Sequence, residues 1–327
     1  MKVLYLDDIS LYDFEPSIVS FQSEIVDGLR ETPKRIASKF FYDEEGAKLF
    51  EMITELKEYY LTRTEVAIMR QNLPEIAAWI GPKAQLIEFG SGNSLKTVLL
   101  LKQLKSPAAF VPIDISRDQL IEAATQISAR FDDLEVFPIC ADYTDEFTIP
   151  EPTQIPERSV VFFPGSTIGN FEPKDAQQFL TNCAMLVGPN GGIVIGFDLA
   201  KDASIVEPAY NDSQGITARF NKNLIVHINR EFGTNLPVDN FEHYAFWNPA
   251  ESRIEMHLIS QRDLDFELDG TPLHFSAGEH IITEYSYKYT VDRFQSMLRK
   301  SGFSVEKTWT DEAMAFAIVA ARAGLPD

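Results

Sequence analysis

Short unbroken apolar runs and longer amphipathic stretches alternate through the middle of this chain. The runs fall at residues 85–89 (QLIEF), 110–113, 136–140, 159–163 (SVVFF) and 193–197. Each is nearly free of polar positions, the pattern of strands buried on both faces. Between them lie stretches of helical period: 95–104, a segment capped by Ser116-Arg-Asp-Gln119, and 173–186. Upstream, Thr62-Arg-Thr-Glu65 has the form of a capping box and predicts a helix toward Ile80, kinked or split at Pro74 and ended by Gly81-Pro82. Strands joined through helices run parallel, so this region predicts a doubly wound α/β sheet.

After Asp198 the rhythm changes. A helical stretch near 208–223 is followed by strand-like segments at 224–230, 253–260, 264–268 and 280–289. This block predicts a separate α+β unit. Beyond it, 291–301 reads as an amphipathic helix, with strands at 303–310 and 315–321. The expected organisation is one α/β domain over 63–198 and 289–327, interrupted by a second domain built from 199–288 together with 1–62.

Composition narrows the function classes. The chain has 327 residues, 45% of them apolar, enough for a real core. Its formal net charge of −20 repels phosphate backbones and anionic lipid, so neither nucleic acid nor a membrane is expected as a partner. Two cysteines, Cys140 and Cys183, imply no disulfide framework. The first residues lack the form of a secretory leader, and no stretch reaches the roughly 18 apolar residues that span a bilayer. A cytoplasmic location is the expectation.

Candidate chemistry begins at Ile87-Glu-Phe-Gly90-Ser-Gly92-Asn-Ser94, which closes a strand and opens a helix. Glycines let the backbone approach a ligand there, and the helix start favours anionic or polar groups. A dinucleotide fingerprint requires a third glycine where Leu95 stands, so the loop fits a dinucleotide poorly. Asp114, at the end of the next strand, is placed to accept both ribose hydroxyls of an adenosine. Asp142-Tyr143 ends the third strand, suited to the adenine amino group and ring face. Singly, these residues also fit turns and helix caps. Together, on successive strand ends, they fit S-adenosylmethionine, with Lys96 one turn into the helix as a contact for its methionine carboxylate.

The chain resembles the histidine-specific methyltransferases of ergothioneine biosynthesis over nearly its whole length. The resemblance is carried by Phe41-Tyr-Asp43, Glu58-Tyr-Tyr-Leu-Thr-Arg-Thr-Glu65, Phe163-Pro-Gly-Ser-Thr-Ile-Gly-Asn170, Ala209-Tyr-Asn-Asp212, Phe220-Asn221, Arg253-Ile-Glu-Met256 and Thr283-Glu-Tyr-Ser286. It implies a class I, Rossmann-like methyltransferase sheet with a second, α+β substrate-binding domain. It also implies trimethylation of the α-amine of L-histidine to hercynine. Cofactor contacts then fall on Gly90, Lys96, Asp114, Asp142 and Tyr143, with Gly165 near the transferred methyl. Substrate contacts fall on Tyr42, Tyr59, Asn170, Tyr210, Met256, Glu284 and Ser286. The sequence departs from that family's pattern at Leu61, where proline follows the paired tyrosines, and at Asn211, where an acid stands beside the tyrosine.

Methyl transfer needs a neutral amine aimed at the sulfonium methyl, so its enzyme works by positioning and electrostatics. Asn170, after a small-residue turn at the fourth strand end, can accept an amine N–H and orient the lone pair. It is the catalytic candidate, with Tyr59. Tyrosines offer hydroxyls to a carboxylate and ring faces to a developing quaternary ammonium. Glu284 and Ser286 share one strand face by the two-residue period. A carboxylate and a hydroxyl there match the donor and acceptor nitrogens of an imidazole, whereas an indole has only a donor. The five histidines show no metal-ligand spacing, and no metal is expected. Two alternatives stay open: the same scaffold acting on another aromatic amino acid such as tryptophan, and a cofactor-binding module without turnover.

Overall fold

The computed structural model describes residues 2–6, 9–14, 18–90, 92, 94–142 and 147–324; of residues 18–20 it describes the backbone. The chain divides into two compact units: Met1–Pro16 with Leu61–Leu199 and Tyr289–Asp327, and Ser17–Tyr60 with Ala200–Lys288.

The first unit is organised by a ten-stranded sheet. Its centre is parallel: Ile139–Cys140, Ala109–Asp114, Ala84–Phe89, Arg158–Phe163 and Gly192–Asp198 lie side by side in that order. Phe316–Ala323 then pairs antiparallel with Gly192–Asp198, and Phe303–Thr310 closes the far edge. The strands Ala84–Phe89 and Gly192–Asp198 are buried at every position, as their unbroken apolar runs require. Burial of each Val, Leu, Ile or Phe side chain there contributes about 1.5–3 kcal/mol. Crossover helices Leu95–Leu101, Arg117–Ser128 and Pro173–Val187 link the parallel strands. This is a class I, Rossmann-like architecture, as the alternation of runs and helices predicts.

The second unit holds a four-stranded sheet in which Arg253–Ser260 lies between Phe241–Asn248 and His280–Tyr287, with Lys34–Arg35 on the outer edge. A separate hairpin joins Leu264–Leu268 to Thr271–Phe275. Helix Ile216–Phe232 packs on the strands Phe241–Asn248 and Arg253–Ser260 and on helix Glu44–Thr54.

Five local readings are corrected. Residues 224–230, expected as a strand, continue the helix to Phe232; the buried set Phe220, Leu224, Ile225 and Ile228 follows a three-to-four-residue period. The strand Phe241–Asn248 went unforeseen. The strands Lys2–Tyr5 and Ser10–Asp13, expected with the inserted unit, pair antiparallel, and Ser10–Asp13 runs parallel to Ile139–Cys140 and extends the larger sheet. The run 136–140 is broken into Glu135–Val136 and Ile139–Cys140, with Pro138 between them lacking a ladder N–H. Helix Tyr60–Ile80 runs unbroken through Pro74.

Candidate active site

In the first unit the candidate residues gather at one edge of the sheet. Gly90, Asp114, Asp142 and Gly165 each lie at or just beyond the carboxyl end of a parallel strand, where open α/β sheets bind ligands. Gly90 and Gly92 have φ of 70° and 42°, and Ser94 at the helix start has 54°. That left-handed path favours glycine, and a Cβ on Gly90 would meet no atom of the described residues within 4 Å. Asp114 Oδ1 accepts the Ser116 N–H at 2.9 Å, which fixes the carboxylate plane. Ala141 donates its N–H to the Asp114 carbonyl, bringing Asp142 beside it. Tyr143 lies outside the described residues.

Lys96 and Gly165 are held together by a residue the sequence pattern misassigned. Glu65, read as a capping-box acid, is buried; its carboxylate accepts the Gly165 N–H at 2.9 Å and pairs with Lys96 Nζ at 2.5 Å. Gly165 has φ of 88°, the left-handed region that favours glycine, and a Cβ there would stand in van der Waals contact, 3.4 Å, with Lys96 Nζ. Beyond Gly165 the chain turns through left-handed Ser166 into a short 3-10 helix, Thr167–Asn170. The Ser166 hydroxyl accepts the Asp198 N–H at 2.9 Å, tying this turn to the neighbouring strand. Asn170 ends the turn half-buried, and among the described residues its amide makes no hydrogen bond. It is the one polar side chain of this turn left to meet a ligand.

Two buried polar atoms beside the glycine loop, Ser94 Oγ and Glu88 Oε2, have no hydrogen-bond partner among the described residues. Their presence fits an edge built to receive a polar ligand. Glu88 accepts the Thr97 hydroxyl at 2.5 Å through its other oxygen, and burial pushes its pKa up to about 8. From pH 4.5, where it titrates when exposed, to about 8, the folded state keeps a proton that the unfolded chain releases. Stability from this group therefore falls as pH rises through that window. Glu88→Gln removes the dependence. Its stability relative to the unsubstituted protein is expected to grow by on the order of 2–4 kcal/mol between roughly pH 6 and pH 9, read by thermal melts. A constant difference across that range would place Glu88 in solvent contact.

The second unit gathers the other candidates. Glu284 and Ser286 lie on one face of the strand His280–Tyr287, 9% and 3% exposed. Met256, buried, pairs with Glu284 across the sheet, next to a register shift at Met256/His257. Tyr210 Oη and Ser286 Oγ are 2.8 Å apart. The Tyr59 ring stands edge-on to Tyr210 at 6.4 Å and to Phe50 at 6.2 Å. Phe50 in turn contacts half-buried Tyr42 at 5.5 Å, with Phe220 against both. All six second-unit candidates thus belong to one aromatic and polar cluster. Burial pushes the Glu284 carboxyl up to about 7, against the pull of the nearby Lys288 charge.

Tyr210 is fixed by its neighbours. Asn211 donates to the carbonyls of Glu207 and Ala245 at 3.1 and 3.0 Å, contacts an acid at that position cannot donate. The Tyr210 carbonyl accepts from His243 Nε2 at 2.9 Å, so His243 Nδ1 carries the lone pair and accepts the Asn221 amide, also at 2.9 Å. Burial holds His243 below its usual pKa, consistent with that neutral tautomer. Sequence reasoning passed over Lys288, which donates to Tyr210 Oη at 2.9 Å and Ser286 Oγ at 3.0 Å. The signal was available: Glu284, Ser286 and Lys288 continue one two-residue period.

Among the described residues no group of three His, Cys, Asp or Glu side chains is placed to hold a metal ion, and no helix is long and apolar enough to cross a membrane. The model of the family described as histidine-specific methyltransferase, SAM-dependent, matches residues 21–323. A histidine N-alpha-methyltransferase of Mycobacterium tuberculosis is 39% identical over 308 residues, covering 92% of this chain and 94% of that protein. One from Mycolicibacterium smegmatis is 37% identical over 303 residues, covering 89% and 91%. Among solved structures, an S-adenosylmethionine-dependent methyltransferase from Clostridium acetobutylicum aligns with a TM-score of 0.49 at 9% identity, covering 85% of this chain and 98% of that one.

Proposed function

The chain belongs to the SAM-dependent, histidine-specific methyltransferases, and we propose that it trimethylates the α-amine of L-histidine to hercynine, in ergothioneine biosynthesis. The observation that carries the choice of substrate is the buried polar pair Glu284–Ser286. An apolar ring would leave the Glu284 carboxyl desolvated without a ring partner, at a cost of about 1–3 kcal/mol, and would offer Ser286 nothing beyond its bonds to Tyr210 and Lys288. An imidazole offers one nitrogen to each.

Bound at the first unit's sheet edge, S-adenosylmethionine would supply a sulfonium methyl to the amine lone pair, an N–C bond forming as the C–S bond breaks and S-adenosylhomocysteine leaves. The described residues at that edge fit the cofactor: Gly90 for close backbone approach, fixed Asp114 for the ribose hydroxyls, Asp142 for the adenine, and Lys96 for its carboxylate, with Tyr143, outside the described residues, the expected cover of the adenine ring. Gly165 gives room beside the transferred methyl. In the first two transfers Asn170 accepts an N–H of the substrate amine and turns its lone pair, the amine having lost a proton to water; the tertiary amine of the third has no N–H to give. Tyr42, Tyr59 and Tyr210 receive the substrate carboxylate and flank the growing ammonium. Met256 walls the ring, which Glu284 and Ser286 bind. With both cysteines free and buried, a cytoplasmic location goes with this reading.

The direct test is mass spectrometry of histidine incubated with the protein and cofactor. Mono-, di- and trimethylated products are expected; no methylated product would leave a cofactor-binding module, and methylated tryptophan instead would move the substrate class. Asp114→Ala tests the cofactor assignment. Losing two charge-assisted hydrogen bonds, about 1.5–3 kcal/mol each, is expected to weaken S-adenosylhomocysteine binding by at least ~10²-fold in calorimetry. Unchanged affinity would move the cofactor away from the glycine loop.

A further inference from the structure

Lys288 is 1% exposed, on the same strand face as Glu284 and Ser286, with its backbone pinned at both ends: its N–H donates to the Ser252 carbonyl and its own carbonyl accepts the Ser252 hydroxyl. Its ammonium reaches Tyr210 Oη at 2.9 Å and Ser286 Oγ at 3.0 Å, and those two oxygens are 2.8 Å from each other. The three atoms form a closed triangle. An ammonium can only donate, so both hydroxyls accept from it. Between the hydroxyls either oxygen could donate at this distance; we take the phenol, the stronger acid, as the donor to Ser286. Ser286 Oγ then accepts twice, which uses both of its lone pairs. Its single proton is left to point at a third atom.

We propose that Lys288 is a positioning residue that makes Ser286 an obligate hydrogen-bond donor, so that the pocket selects histidine with a neutral imidazole ring. This rests on the histidine reading above. A serine whose lone pairs are filled cannot receive an N–H. The ring nitrogen facing it must carry a lone pair, while the other nitrogen gives its proton to Glu284. Charge gives the same answer. Lys288 and Glu284 together are neutral when both are ionised, and a neutral ring keeps the buried cluster balanced; an imidazolium would add an uncompensated buried charge. Without Lys288, Ser286 recovers an acceptor lone pair and its hydroxyl can turn either way. The lysine therefore reads the protonation state of the ring without touching it.

The primary test is nitrogen-15 NMR of ring-labelled histidine bound to the full chain with S-adenosylhomocysteine, near the pH where free histidine is half imidazolium. One protonated and one lone-pair nitrogen are expected. Two protonated nitrogens in the bound ring would overturn the proposal. Kinetics provide the second arm. Lys288→Met is expected to raise KM for histidine by ~30-fold or more, to change kcat by less than ~3-fold and to leave S-adenosylhomocysteine affinity unaltered. In a Ser286→Ala background the same substitution is expected to add less than ~3-fold, because the group it orients is gone. Equal effects in both backgrounds would overturn the proposal and leave Lys288 a buried counter-ion. If Lys288→Met does not fold, the NMR result on the unsubstituted protein decides alone. A protein that neither binds nor methylates histidine would instead overturn the substrate reading, and this inference with it.

Discussion

Glu284→Ala is expected to lower kcat/KM for histidine by about 30–150-fold, corresponding to roughly 2–3 kcal/mol of lost transition-state binding. The carboxylate is buried, stands against Met256 across the strand pair and faces the Lys288 charge on its own strand. Truncation removes the acceptor for the ring N–H and opens apolar space where the carboxylate was. A larger aromatic amino acid then no longer confronts an unpaired charge. Tryptophan is expected to lose far less than histidine, or to gain. Specificity of this kind comes from the site's own polar groups, which reject a ring that leaves them unpaired. Glu284→Gln, equal in size and still an acceptor, is expected to fall between the two for histidine. The measurement is kcat/KM for histidine and tryptophan with all three proteins. A parallel drop for both substrates, or none for histidine, would place Glu284 outside the ring pocket.

Asn170→Ala is expected to reduce turnover on the order of 10²-fold while cofactor affinity stays within about threefold. The amide sits at the end of a 3-10 turn whose start is fixed by Ser166 and Asp198, so its place is set by backbone. An amide oxygen that accepts one amine N–H selects the direction of the lone pair, and misdirection costs rate more than binding. The effect should be read at saturating histidine, with S-adenosylhomocysteine calorimetry beside it. Turnover within a factor of three would make Asn170 a turn residue and nothing more. Equal losses of turnover and cofactor affinity would instead report a disturbed sheet edge.

Much of the first unit was legible because its signals are local. The run at 193–197 has no polar position and that at 85–89 only Gln85 and Glu88 among apolar residues, and both are central strands buried throughout. Glycine at 90 and 92 is required by positive φ, a property of those residues alone. Misreadings arose where local signals were shared by two structures. The stretch 224–230 is rich in β-branched and apolar residues, yet its buried positions continue a helical face begun at Phe220. Thr62-Arg-Thr-Glu65 has capping-box spacing, but a glutamate at that spacing is equally free to face inward. Here it binds the Gly165 N–H, a hundred residues away.

By itself, then, the sequence determined the elements whose reason is local: buried parallel strands, the glycine loop, acids at strand ends, and a glutamate and a serine on one strand face. The amino-terminal strand pair's place on the larger sheet was decided by pairing between Tyr12 and Ile139, far apart in the chain. So was the grip of Glu65 on Gly165 and Lys96. The clearest case is Ser286. Its presence on the pocket face follows from the two-residue period of a strand, but whether it donates or accepts does not. That depends on Lys288 and on Tyr210, 76 residues away from Ser286, whose Nζ and Oη stand within hydrogen-bond distance of its Oγ. Period and composition report which residues are buried, because burial acts on one residue at a time; hydrogen-bond polarity belongs to groups of three, which only the folded chain brings together.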